Sequence, residues 1–138
     1  MLDDDMIRDA SNDGHSFISG GVYLDARIGS ASHGDTATGV GATASADVRV
    51  QIVDWIQGDF VMDVVVDGTV VNTIDLDDLP ADDMNFSVVR YNDSVSVPVA
   101  AAGSWVVFAV YSNTTTTLAP VHPSREAFAV TNPIFLER

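Results

Sequence analysis

Residues 62–74, with the sequence MDVVVDGTVVNTI, decide the fold class of this chain. Two runs rich in β-branched residues flank Asp67-Gly68, a dipeptide that accepts the positive φ angles of a two-residue hairpin turn. We therefore predict a β-hairpin whose strands cover residues 62–66 and 69–74.

Alternation of apolar and polar residues with a period of two predicts further strands on both sides of this hairpin. The pattern is clearest where Val22 and Leu24 alternate with Tyr23 and Asp25. Many short strands separated by polar turns indicate an all-β fold, an antiparallel β-sandwich that is immunoglobulin-like in size. The additional strands are predicted at residues 22–28, 46–52, 86–91, 95–99, 105–111 and 127–136.

Two segments depart from the strand pattern. In residues 3–12, acidic residues precede Met6, Ile7 and Ala10, which predicts one short helix with its acidic start at the positive end of the helix dipole. Residues 29–45, rich in Gly, Ala, Ser and Thr, predict a flexible loop. We interpret residues 1–14 as a short helix, the remnant of an upstream domain, and residues 15–138 as a single β-sandwich domain.

Length and charge bound the possible functions. At 138 residues, the chain is long enough for one well-buried core and too short for two ordinary domains. It has 18 Asp, 2 Glu, 6 Arg and no Lys, for a formal net charge of −14. Such a surface excludes nucleic acid as a partner, because phosphate binding needs cationic side chains. The acidic, lysine-free composition is compatible with a saline or extracellular setting.

Cysteine is absent, and no apolar run approaches the roughly 20 residues of a membrane-spanning helix. We therefore expect a soluble chain without disulfides, thiolate metal sites or a membrane span. The localisation stays open, because a parent protein that begins upstream of Met1 could carry an export leader.

Residues able to bind a metal or perform catalysis are scattered along the sequence. The three histidines, His15, His33 and His122, are distant from one another, and we predict that His33 and His122 are solvated loop residues. The serines, Ser19 among them, lie outside any G-x-S-x-G motif. We therefore predict no catalytic residue, no cofactor and no transition-metal site.

An acidic segment at residues 74–83 is the remaining candidate for a cation site. Carboxylates are the ligands that calcium prefers, although their spacing around Pro80 does not fit an EF-hand loop. The alternatives are a solvated loop between strands, which we favour, and an irregular calcium site. The candidate ligands are Asp75, Asp77, Asp78, Asp82 and Asp83.

The two tryptophans are candidates for a carbohydrate platform, because a flat aromatic face stacks on a sugar ring. Trp105 alternates in step with Val107 and Ala109, so we predict that it packs in the core. Trp55 lies close to Gly58 in a polar stretch, and we predict that it is exposed.

Two stretches near the ends of the chain carry a more specific pattern: GHSFISGGV at residues 14–22 and TNPIF at residues 131–135. Gly-Asp at residues 34–35 and Ser-Trp at residues 104–105 lie between them. Together they resemble the C-terminal β-sandwich domain of PHP-type metallohydrolases of the CehA/McbA kind. In that family a helix ending in Gly-Arg leads into Thr-Phe-Val-Thr-Asn-Gly-Pro, and a Thr-Asn-Pro-Ile-aromatic segment closes the module.

The chain departs from the family pattern at His15, Gly20 and Val22, where Arg, Asn and Pro are usual. The resemblance implies the non-catalytic part of a larger enzyme, since the family's metal ligands belong to an upstream barrel and none matches a position here. The module would pack on that barrel through one surface, because glycines permit close approach and Pro133 restricts the backbone. The expected interface residues are Met6, Ile7, Gly14, His15, Gly20, Gly21, Thr131, Asn132 and Pro133.

The favoured function is therefore structural: an accessory β-sandwich module that packs against a PHP-type hydrolase domain of a parent chain. An extracellular binding module for carbohydrate or calcium is the first alternative, and a small stand-alone hydrolase is the second. Without its partner domain, the helix with Met6 and Ile7 is expected to form a weak homodimer or to remain mobile.

Overall fold

The hairpin around Asp67-Gly68 forms as predicted and belongs to a two-sheet structure. The computed structural model describes residues 4–53, 55–56, 58–76, 89–114, 118 and 125–138. The elements in chain order are α1 (Asp4–Asn12), β1 (Phe17–Gly20), β2 (Val22–Arg27), β3 (Thr36–Thr38), β4 (Thr43–Ile52), β5 (Phe60–Val66), β6 (Thr69–Asp75), β7 (Val89–Pro98), β8 (Ser104–Ser112), β9 (Phe128–Thr131) and β10 (Ile134–Glu137).

The strands form two sheets. In sheet A, β8 pairs with β5 on one side and with both β9 and β10 on the other, while β6 extends the sheet beyond β5. β1 pairs with β9, and β3 pairs with β10 in the one parallel strand pairing of the described residues. Sheet B consists of β2, β4 and β7, with β4 in the middle. The sheets pack face to face, and the predicted all-β sandwich is confirmed.

The core lies between the sheets, where alternate residues of most strands point inward, although β6 has no buried residue. β4 and β8 show the period most clearly: Val48 and Val50 face inward from β4, and Val106 and Phe108 face inward from β8. The largest fully buried side chains are Phe60, Phe108, Leu24, Ile52, Ile56, Met62, Leu76, Ile134 and Leu136.

Several predicted boundaries were wrong for identifiable reasons. The predicted loop at residues 29–45 contains β3 and the start of β4, because small residues there pair with distant strands. The predicted strands at 86–91 and 95–99 form a single strand from Val89, and residues 86–88 lie outside the described part of the chain.

The predicted strand at 127–136 is divided into β9 and β10 at Asn132-Pro133. Proline has no backbone N–H to donate, so the ladder with β8 is interrupted there. Thr131 compensates for the interruption: its hydroxyl accepts a buried hydrogen bond of 3.0 Å from the backbone N–H of Phe108. β9 and β10 therefore pair with the same edge of β8 on both sides of the break.

Helix α1 ends in a Schellman motif. The N–H of Gly14 donates to the carbonyl of Ser11 at 3.2 Å, and the N–H of His15 donates to the carbonyl of Ala10 at 2.9 Å, with Gly14 at φ +79°. The helix thus ends within the segment 1–14 that was predicted to carry it, and the chain turns directly into β1.

Candidate functional site

The two terminal stretches meet in the structure. β1 pairs with β9 so that Phe17 lies opposite Thr131, and the N–H of Asn132 donates to the carbonyl of Ser16 at 3.3 Å. The side-chain amide of Asn132 donates to the carbonyl of Gly14 at 2.9 Å and contacts the Ser16 hydroxyl at 3.0 Å. The predicted adjacency of these segments is therefore present, and Asn132 is the residue that connects them.

The loop between β2 and β3 completes this junction. Gly34 donates its N–H to the carbonyl of Pro133 at 2.9 Å. The Asp35 carboxylate contacts the His15 imidazole at 3.1 Å and accepts a hydrogen bond of 2.9 Å from the N–H of Ser32. Residues from three distant parts of the sequence thus surround the end of α1.

Most of the residues expected at an interface make contacts within their own chain. Gly21 has φ +77°, and a Cβ there would lie 2.6 Å from Leu118 and 3.0 Å from Ile56, so its backbone approaches the core at the crossing from sheet A to sheet B. Gly20 lies against the ring of Phe128, where a Cβ would be 3.1 Å away. The close approach that these glycines allow is an approach of the chain to itself.

Helix α1 is exposed along its whole length and has no buried residue. Met6 and Ile7 are 59% and 52% exposed, respectively. Arg8 forms ion pairs with Asp5 at 2.8 Å and with Asp9 at 3.2 Å, all within the helix. Because a nine-residue helix is marginal in water by itself, α1 depends on its C-terminal cap for stability.

The outer face of sheet A is apolar, a feature that the sequence analysis missed. Residues directly opposite each other in a sheet point to the same side, and Ile18, Val130 and Ala109 form one such row across β1, β9 and β8. Ile18 is 68% exposed. We call this surface the sheet A face; its residues are Ile18, Val65, Trp105, Val107, Ala109, Tyr111, Phe128, Val130 and Phe135.

The prediction that Trp105 packs in the core was wrong. Trp105 is half-buried on the sheet A face, opposite Phe135, while the intervening Val106 and Phe108 fill the core. Both sets of alternating residues in β8 are apolar, so alternation alone could not identify the inner set. Trp55 is 49% exposed, as predicted.

One acidic side chain lies in the sheet A face with its charge compensated by hydrogen bonds. The Asp63 carboxylate accepts hydrogen bonds from the Tyr111 hydroxyl at 3.1 Å and from the Thr73 hydroxyl at 2.6 Å. The hydrogen bond to Asp63, followed by desolvation, raises the pKa of Tyr111. The carboxylate therefore interrupts the apolar surface less than an unbonded charge would.

The prediction that His33 is solvated was also wrong. Only 7% of His33 is exposed, its ring lies 6.0 Å from that of Phe17, and its Nδ1 is buried without a hydrogen-bond partner. Burial lowers the pKa of His33, outweighing the opposing effect of the Asp25 carboxylate, whose nearest oxygen is 4.0 Å from Nε2. Neutral His33 is thus a packing residue beneath the junction. The burial of His33 could not be predicted from the sequence, because the residues that it contacts, such as Phe17, lie far from it along the chain.

The outer face of sheet B has the opposite character. Asp25 of β2 lies opposite Arg49 of β4, and Arg27 lies opposite Asp47 in the next outward-facing row. β7 adds Asn92 opposite Arg49 and Ser94 opposite Asp47, where the Ser94 hydroxyl donates to the Asp47 carboxylate at 2.7 Å. These residues line a groove of about 370 Å³.

A second depression of about 470 Å³ is lined by Tyr23, the outward-facing residue of β2 that precedes Asp25 of the groove. Tyr23 is 48% exposed, and its ring packs edge-to-face on Phe17 with a centroid distance of 5.8 Å. Gln51 lies opposite Tyr23, and Val53 lines the far side. The outer face of β2 and β4 therefore offers an aromatic depression and a hydrogen-bonding groove at successive outward-facing positions of the same two strands.

Most of the remaining sequence candidates lie outside the described part of the chain. Asp75 is exposed at the end of β6, whereas Asp77, Asp78, Asp82, Asp83 and His122 lie outside the described residues. Within the described part of the chain, no group of three or more His, Asp or Glu side chains is arranged to hold a metal ion. The Ser19 hydroxyl hydrogen-bonds to the backbone carbonyl of Val22.

No helix among the described residues is long and apolar enough to cross a membrane. No family model matches this chain, and no curated protein or solved structure is significantly similar to it.

Proposed function

We propose that this chain is a non-catalytic β-sandwich module that docks on a neighbouring domain through α1 and the sheet A face. The single observation that carries the proposal is the row Ile18–Val130–Ala109, which leaves apolar side chains exposed on a chain of net charge −14. Monomeric proteins rarely expose large contiguous apolar surfaces unless those surfaces are interaction sites. The exposed Met6 and Ile7 lie on the helix that leads into β1, at the edge of the same sheet.

The size of the face favours a domain of the same polypeptide as the partner. β5, β8, β1 and the segment formed by β9 and β10 lie side by side about 4.8 Å apart, and with lengths of roughly 13 to 30 Å they give an area on the order of 400 Å². A stable complex between separate proteins buries about 800 Å² on each partner, whereas interdomain interfaces are as small as about 600 Å² in total. A tethered domain needs less contact area, because its effective concentration is high.

Charge disfavours a second copy as the occupant. Two chains of net charge −14 repel each other, and screening reduces this repulsion only at high salt. The partner surface is therefore expected to be apolar at its centre and neutral or basic at its rim. A PHP-type hydrolase domain, implied by the sequence resemblance, is the partner that we propose.

The proposal is tested first on the coding region upstream of Met1 and then on the protein that it encodes. We expect a His- and Asp-rich PHP barrel there, and co-purification of that barrel with this chain when the two are expressed as separate polypeptides. Ile18→Asp should abolish the association, because it places a charge in the exposed apolar row of the sheet A face. Ser96→Asp, which adds the same charge to an exposed position on sheet B, is the matched control.

Three results would contradict the proposal in different ways. An upstream region without such a barrel would remove the PHP-type partner. Equal association of the Ile18→Asp and Ser96→Asp proteins would remove the sheet A face as the docking surface. Sedimentation of the isolated chain as a dimer that Ile18→Asp dissociates would replace the partner domain with a second copy.

A further inference from the structure

We propose that the outer face of sheet B binds a neutral oligosaccharide that spans the depression at Tyr23 and the groove that reaches Arg27. This site is separate from the docking surface, since it lies on the other sheet, and the inference does not depend on the proposed function. Five residues of a strand span about 13 Å between the first and the last, which fits a short oligosaccharide better than a single sugar ring.

Tyr23 supplies the platform on which one sugar ring would stack. Half of its side chain is exposed, and the edge-to-face contact with Phe17 fixes the orientation of its ring before any ligand arrives. The apolar C–H face of a sugar favours such a preoriented aromatic surface, because little side-chain entropy is lost on binding. Gln51, directly opposite Tyr23, offers an amide to the hydroxyls of the same ring.

Arg49 supplies donors that pair with no carboxylate of the described residues. It lies opposite Asp25 and two residues from Asp47, yet no carboxylate of the described residues comes within 4.0 Å of its guanidinium. If the outward-facing charges of sheet B simply paired with the residue opposite, Arg49 would form an ion pair with Asp25. The five N–H donors of this half-buried side chain are instead available to ligand hydroxyls, with Asn92 beside it on β7.

Charge selects a neutral ligand. The groove contains three carboxylates, from Asp25, Asp47 and Asp93, and two guanidinium groups, from Arg27 and Arg49. Its local net charge is therefore −1, and the whole chain carries −14, so an acidic polysaccharide would be repelled. Neighbouring hydroxyl groups of a neutral sugar can donate hydrogen bonds to the carboxylates and accept hydrogen bonds from the arginines at the same time.

The test is a titration of the ¹⁵N-labelled chain with neutral hexasaccharides of glucose, mannose, xylose and galactose, followed by NMR, with an oligogalacturonate as the acidic comparison. We expect at least one neutral hexasaccharide to shift the amide signals of Tyr23, Asp25, Arg49 and Asn92 at millimolar concentration. Tyr23→Leu and Arg49→Gln should each weaken that binding about tenfold.

Two matched variants control for general effects of the substitutions. Trp55→Leu removes an equally exposed aromatic ring that does not line the depression, and Arg8→Gln removes an arginine of α1. Both should bind the hexasaccharide as the unmodified chain does. If Tyr23→Leu does not fold, the map of shifted amides in the unmodified chain still decides the location.

Four outcomes would overturn the proposal. These are the absence of shifts with every neutral hexasaccharide, shifts confined to residues outside the depression, binding of the acidic oligosaccharide alone, and neutral-sugar binding that Arg49→Gln leaves unchanged.

Discussion

Replacing Gly34 with alanine should destabilise the junction more than any ordinary loop substitution. Gly34 has φ +87°, and a Cβ there would lie 2.7 Å from the carbonyl oxygens of both Asp13 and Gly14. These are backbone atoms at the end of α1, so they cannot rotate away as a flexible side chain would. The alanine variant would therefore push the helix terminus off the β2–β3 loop.

The magnitude follows from two contributions. A non-glycine residue in the left-handed region costs about 1–2 kcal/mol, and forcing a methyl group into a filled space costs about 1–3 kcal/mol more. The entropy of unfolding is about 2.1 cal/mol/K per residue, or about 0.29 kcal/mol/K for 138 residues. Gly34→Ala should therefore lower the melting temperature by about 7–17 °C.

Gly29→Ala is the matched control, because Gly29 lies in the same loop at φ +62° and a Cβ there would have no atom within 4 Å. It bears only the backbone cost and should lower the melting temperature by about 3–7 °C. Calorimetry measures both variants, and hydrogen exchange should show faster exchange of the α1 amides in Gly34→Ala alone. Equal losses in the two variants, or unchanged α1 exchange, would refute the close contact between Gly34 and the helix end.

Two further predictions concern buried polar groups. Thr131→Val should lower the free energy of unfolding, measured by urea denaturation, by about 1–3 kcal/mol, because the Phe108 N–H loses its acceptor. The control Thr38→Val, at an exposed position of β3, should stay within about 0.5 kcal/mol of the original chain. A similar loss of stability in both variants would contradict the role of Thr131. Burial lowers the pKa of His33 in the folded chain, so on acidification the unfolded chain binds a proton at a higher pH than the folded chain does. The stability contributed by neutral His33 should therefore be lost as the pH falls from above 6.5 through the lowered pKa. The stability difference between the original chain and His33→Gln should therefore shrink on acidification, and a difference independent of pH would show that His33 titrates normally.

The sequence predicted best those elements whose signals are local. The hairpin at Asp67-Gly68 carries its turn chemistry and its strands in one short segment, and the structure has Asp67 at φ +50° and Gly68 at φ +82°. The alternation of β2 likewise predicted which residues face the core. Helix α1 was also predicted, because its acidic start and its Gly14 stop lie next to it in sequence.

Elements defined by distant partners could not be predicted in this way. β1 and β3 have only four and three residues, and each forms because a later strand presents a free edge. The two candidate surfaces were missed for a related reason. Alternation shows that two faces of a strand differ, but the sheet A face and the groove on sheet B exist only after several strands are brought side by side.

The pairing of β1 with β9 and of β3 with β10 has a consequence for how this protein folds during synthesis. Phe17 pairs with Thr131, 114 positions later, and β3 pairs with β10, so both early strands depend on the final segment of the described chain. Closing loops of this length is slow, because chain entropy is lost before the paired strands gain any contact. During synthesis, the β8 edge that β9 and β10 will cover stays open to other strands. Strands β9 and β10 thus cover this edge last among the described strands. A chain whose synthesis stops before Phe128 would therefore be prone to aggregation rather than form a smaller stable sandwich.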